Sequence, residues 1–240
     1  MCDGDTSVSM QYDTRTPVAH HEAAVRSQFM TRVYMHLMMA IGAFIAIEWF
    51  LFTSGLAVTI ADFVLGTSWL LILGGFMIVS WIANSLGLRA RTPGAQYGAF
   101  ALLVGANALL FATPLVMAQR IEQLEGTSVI STAAWISLFA FAGLSMIAIR
   151  TGRDFSFLRS LLMWGGVLAL ALIVGAVIFG ANLGTWFSIA MIGFAGAAIL
   201  YDTQKVYRSY PPHLVVPAAM NLFASLALLF WYVLRLLSRR

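Results

Sequence analysis

Read for the alternation of apolar and polar stretches, the chain divides into seven long apolar runs separated by short polar ones. The runs cover approximately 33–53, 68–88, 97–118, 129–149, 160–180, 185–204 and 214–234. A helix rises about 1.5 Å per residue and the hydrocarbon core of a bilayer is about 30 Å thick, so about 20 apolar residues make one crossing. Each run therefore predicts a membrane-spanning helix. The segments between them, roughly 5 to 15 residues, are too short to fold alone, which leaves any activity to the bundle or its rims. The pattern predicts an all-α integral membrane protein, a bundle of about seven transmembrane helices over residues 30–240, preceded by a polar N-terminal tail at 1–29.

Composition agrees. Hydrophobic residues make up 60% of the 240-residue chain and charged residues only 10%, against roughly 25% charged in soluble domains. The tail holds Asp3, Asp5, Asp13, His20, His21 and Glu22 and lacks the basic start, short apolar core and small-residue cleavage site of a signal peptide. Cys2, the single cysteine, follows no apolar segment, so it indicates neither a disulfide nor a lipoprotein site.

The formal net charge of +4 is scattered over short loops, which argues for topology signals and against a nucleic-acid partner. Arg15, Arg26, Arg32, Arg89, Arg91, Arg150, Arg153, Arg159, Lys205 and Arg208 fall on one side of the predicted spans, against Arg120, Arg235, Arg239 and Arg240 on the other. By the positive-inside rule the N-terminus is cytoplasmic. Three of the four dissenting charges lie in the C-terminal tail, which leaves open a seventh span that is re-entrant or returns to the cytoplasmic face.

An ionisable side chain at mid-membrane costs at least about 2.5 to 3.5 kcal/mol on insertion scales, so each needs a partner, a wet cavity or a place near the interface. Asp202, in AAILYDTQKVY near the end of the sixth span, is the main candidate. Ala198 and Ala195 precede it at i−4 and i−7, and Gly193 and Ala197 form a small-xxx-small pair that invites close helix packing. The bland alternative is a helix-end acid paired with Lys205 at i+3. Glu48, in AFIAIEWFLF of the first span, is a weaker candidate whose bland reading is a snorkelling acid of the outer leaflet. His36 has no second His or Cys at metal spacing and reads as a packed or interfacial histidine. Trp164, Trp186 and Trp231 read as membrane-belt or packing residues.

Several chemistries are disfavoured. No glycine-rich loop leads into Lys and Ser/Thr, as phosphate binding requires, and no His-Glu-x-x-His run marks a zinc protease. Lys205, the only lysine, lies beyond a span, where a retinal Schiff base has no place. No nucleophile, base and orienting group assemble from the intramembrane polar residues, so no enzyme and no cofactor are expected.

Four segments resemble the Bax inhibitor-1 family, also called the YccA-like or transmembrane Bax-inhibitor-motif family. FMTRVYMHLMMAIG at 29–42 is similar to the approach to its first helix, and RDFSFLRSLLMWGG at 153–166 to its Asp-Phe-Ser/Thr start of the fifth. AILYDTQKVY at 198–207, the most specific, resembles its sixth-helix signature, and AAMNLFASLALLFWYVLRLL at 218–237 lies without a gap on its last helix. The resemblance implies a bundle with helix 7 near the centre. In bacterial members it further implies a pH-sensitive leak for calcium or other cations, or binding to a membrane-anchored AAA protease; in eukaryotic ones it implies suppression of cell death at the endoplasmic reticulum.

In the family one aspartate of the sixth helix and one of the seventh share a proton and gate the pore. Asp202 matches the first, but the second position is Ser225, and the position that usually holds Asn is Leu228. Two adjacent carboxylates cannot both ionise cheaply, which makes a shared proton a switch; one carboxylate beside a hydroxyl lacks that repulsion, so pH sensing is weakened here. Asn221, four residues before Ser225 on the same helical face, joins the candidate ion path of Asp202, Ser225 and Asn221, with transient calcium at Asp202 and no resident metal.

Two functions follow as expectations. One is a weak calcium or cation leak of a bacterial plasma (inner) membrane, with membrane lipid and calcium or protons as partners. The other is a non-catalytic modulator that engages a membrane-anchored AAA protease or another stress-response partner through the polar tail. The endoplasmic reticulum membrane is the alternative location.

Overall fold

In the computed structural model, described over residues 17–18, 23–90, 92–151 and 154–239, the apolar runs become helices. The helices are α1 (Ala23–Thr53), α2 (Leu56–Gly66), α3 (Trp69–Arg89), α4 (Pro93–Glu125), α5 (Val129–Arg150), α6 (Phe157–Ile178), α7 (Thr185–Ser209) and α8 (Val215–Leu237). Seven of them are long and apolar enough to cross a membrane, one for each predicted run. α1 begins inside the stretch read as tail. Cys2, the tail acids and histidines, and the topology charges Arg15, Arg91, Arg153 and Arg240 lie outside the described residues.

The added element is α2. Its 11 residues reach about 16 Å, half a bilayer core, so length alone hides it from a search for spans. Gly55, at φ 78°, turns the chain out of α1 in a conformation that side chains resist. α2 then buries Ala57, Ala61 and Val64, Ala57 and Ala61 packing with Leu51 of α1 and Ala112 and Val116 of α4.

Local chemistry marks the helix ends. Thr92 caps α4 by accepting from the Ala95 N–H at 3.4 Å, with Pro93 in the first turn, where its missing N–H is no loss. Glu122, in the last turn of α4, accepts the Ile130 N–H at 2.7 Å and so serves an otherwise orphaned donor at the start of α5.

α8 is the central element, packed against α1, α3, α4, α5 and α7. Its buried residues include Ala219, Met220, Leu222, Phe223, Leu229 and Val233 and run around the helix, as expected of a helix with protein on most sides. The aromatic centre of the core is Phe111 of α4. Phe44 and Trp231 meet it edge-on at 5.3 and 5.1 Å between centroids, and Phe230 stacks on it at 5.4 Å. Trp231 also stacks on Trp69 and is thus a packing residue, whereas Trp164 and Trp186 are exposed.

α6 is peripheral and packs mainly on α7, turning Leu161, Met163 and Leu168 outward. Its closest approach needs Gly165, since a Cβ there would lie 3.0 Å from the Phe194 ring. Gly165→Leu is expected to cost about 1–3 kcal/mol through overpacking, read as a lower midpoint of thermal unfolding in detergent.

Candidate functional site

The site is built on three consecutive polar residues of α7. Successive helical residues point about 100° apart, so Asp202, Thr203 and Gln204 face three different neighbours. Asp202 is hydrogen bonded to α8. Thr203, fully buried, shares a 3.2 Å hydroxyl contact with Ser145 of α5. Gln204 Oε1 accepts the Phe155 N–H at 2.7 Å, just before α6. One turn of α7 thus ties α5, α6 and α8 together.

Gln204→Leu leaves that N–H without its side-chain acceptor. A lost partner of this kind costs about 1–3 kcal/mol, and the expected sign is faster hydrogen exchange at Phe155 together with a lower unfolding midpoint.

At Asp202 the Asn221 amide donates to Oδ1 at 3.0 Å, and the Ser225 hydroxyl donates to Oδ2. The i, i+4 spacing of Asn221 and Ser225 puts both on one face of α8, as the sequence predicts. The carboxylate is half-buried, and Ser225 is buried. Lys205, the sequence's alternative partner, holds its ammonium over the Tyr201 and Tyr210 rings at 5.9 and 6.0 Å. Leu228 instead packs among the apolar residues of the core.

The small-residue prediction is half right. Ala195 and Ala198 are buried, but Gly193 is exposed, so the Gly193–Ala197 pair is not the packing seam. Gly196 is the tight position, with Leu144 of α5 3.4 Å from where its Cβ would stand.

Tyr210 follows α7 and closes the same end of the site. It is buried, and its carbonyl accepts the Val18 N–H at 3.0 Å. Burial, then the nearby Asp202 and Tyr201, push its hydroxyl up to about 12, so Tyr210 stays neutral through the physiological range. Asp154, exposed in the loop before α6, is held below the ordinary carboxylate range by side-chain and backbone hydrogen bonds from Ser156 and, less, by Arg208.

Glu48 is not brought to this cluster. Asn221 and Ser225 lie about 140° to 180° around α8 from Phe223 and Phe230, by the 100° step, and Phe223 and Phe230 line the cavity that holds Glu48. Glu48 is also no snorkelling acid: it is only 7% exposed. His36 is a packed histidine, its Nδ1 2.8 Å from the Arg32 carbonyl and its Nε2 2.9 Å from the Tyr97 hydroxyl of α4.

Thr203, Gln204 and Ser145 belong to the site and were not singled out from sequence. The signal for Thr203 and Gln204 was available, since adjacent polar residues inside an apolar helix need partners on different sides; Ser145, between Leu144 and Met146, carries no such signal.

This geometry can be set beside known proteins. The model of the family described as "Inhibitor of apoptosis-promoting Bax1" matches residues 26–240. The chain belongs to the Bax inhibitor-1 family. For this Bax inhibitor-1 protein the match takes in every transmembrane helix except the first residues of α1, so the multi-pass bundle and the family agree. No individual curated protein matches the chain.

Proposed function

We propose that this Bax inhibitor-1 protein is a weak leak for calcium or a similar cation, with Asp202 on the ion path and Ser225 and Asn221 as its gate. The observation that carries this reading is the clasp itself: an acid within a membrane helix, held by two neutral donors from the central helix. Intramembrane acids of this kind mark ion pathways. If α8 shifts and the donors let go, both carboxylate oxygens become available to a hard cation, which takes oxygen ligands. One carboxylate supplies few of the six to eight oxygens that calcium takes, so binding is transient, as conduction requires.

The reading places the protein in a bacterial plasma membrane with a cytoplasmic N-terminus, where the excess of basic loop residues lies, and assigns it no enzymatic activity. The test is calcium and proton uptake into liposomes holding the purified protein. Uptake above empty liposomes is the expected result; none at pH 6 or pH 8 would remove the leak.

A second reading is a modulator of a membrane-anchored AAA protease. It gains from the same clasp, since both oxygens of Asp202 are already engaged by neutral groups, an arrangement that also serves as a static helix tie. The tail would be the handle. Deleting residues 1–16, which spares Val18, should then abolish co-purification with the protease, and an undiminished complex would count against it.

A further inference from the structure

On the other side of α8 a cavity of about 600 Å³ lies between α1 and α5, floored by Phe111 of α4 and Phe230 of α8. That volume is in the range of small-molecule sites. Trp49 and Trp135 stand on its two sides and are 70% and 59% exposed. Both belong to membrane helices, so the mouth opens sideways toward lipid.

The walls are apolar and aromatic but for Gln119 and Glu122 of α4, the former exposed, and two buried residues, Glu48 and Ser137. Glu48 is more than nine-tenths buried and neither carboxylate oxygen has a hydrogen-bond partner; Ser137, 1% exposed, has an unpartnered hydroxyl. Buried polar atoms are nearly always paired, because an unpaired one forfeits its hydration for nothing. Glu122, at the rim, already has one oxygen engaged by the Ile130 N–H.

We propose that this cavity binds a membrane-dissolved alkyl amine, its ammonium on Glu48 and its chain over the aromatic floor. An ammonium supplies up to three donors and the opposite charge, which two orphaned carboxylate oxygens require. The rings around it add cation–π attraction. A lipid headgroup that carries phosphate fits less well, because its anion would sit among Glu48 and Glu122. The inference does not depend on ion passage at Asp202.

Radiolabelled dodecylamine, protonated at neutral pH, is the probe, with scintillation-proximity binding to the immobilised full-length protein in a neutral maltoside detergent. Saturable binding is expected, displaced at least tenfold more weakly by dodecanol than by unlabelled dodecylamine. Glu48→Gln keeps the shape and should weaken binding at least tenfold, while Asp202→Asn should leave it unchanged. The wild-type competition needs no variant to fold. Equal displacement by dodecanol, or a Glu48→Gln protein that folds and binds as the wild type does, would overturn the proposal.

Discussion

Ser225→Asp is expected to give calcium flux a pH dependence that the wild type lacks, a change of at least tenfold between pH 6 and pH 8. The reason lies in the distance. The Ser225 hydroxyl is hydrogen bonded directly to Asp202, so an aspartate there places a second carboxylate beside the first. Two such groups cannot both ionise cheaply and hold a proton between them. While that proton stays, the pair is a hydrogen-bonded tie between α7 and α8; when it leaves at higher pH, repulsion between the two charges pushes the helices apart. Flux should therefore rise with pH in the variant and stay flat in the wild type. Tyr210, which closes the site, stays neutral over that range and cannot produce the step. Stopped-flow uptake with a calcium dye in the liposome lumen reads both proteins, and matching flat profiles would contradict the account.

Asp202→Asn is expected to lower calcium flux at least tenfold while the protein still folds. Asparagine keeps the size of the side chain and one carbonyl oxygen, so Ser225 or Asn221 retains an acceptor, but it removes the charge that draws a cation from water. The lost charge matters more in a helix bundle than at a surface, because low local dielectric strengthens it. Asp202→Leu removes both acceptors and leaves the buried Ser225 hydroxyl only the Asn221 carbonyl, 3.3 Å away on its own helix, so that variant should lose stability as well. An unfolding midpoint near the wild type for Asn, and a lower one for Leu, would separate loss of charge from loss of structure.

Much of this architecture is readable from the order of residues. A membrane helix must satisfy its backbone internally and cross a fixed thickness, so seven apolar runs translate into seven spanning helices. α2 escapes because half a bilayer sets no length criterion and its Asp62 and Gly66, with Gly55 just before it, resemble loop residues. The pairing of Asp202 with Asn221 and Ser225 is legible in part from helical spacing, which puts the last two on one face, and in part from a family likeness that puts that face opposite Asp202. Thr203 and Gln204 stand next to Asp202 in the chain, yet their partners Ser145 and Phe155 are about 50 to 60 residues away, and no local rule selects them. The position of Glu48 is the instructive failure. An acid two thirds along a span is as consistent with the lipid interface as with the interior, and only the gap between α1 and α5 decides that it faces inward.

The measurement that bears most directly on the central claim is calcium uptake by liposomes carrying equal amounts of wild-type and Asp202→Asn protein at one pH. Uptake that is clear in the wild type and at least tenfold slower in the variant is the predicted result. Equal uptake by the two proteins would mean that Asp202 ties helices together and that ions, if they cross, cross elsewhere.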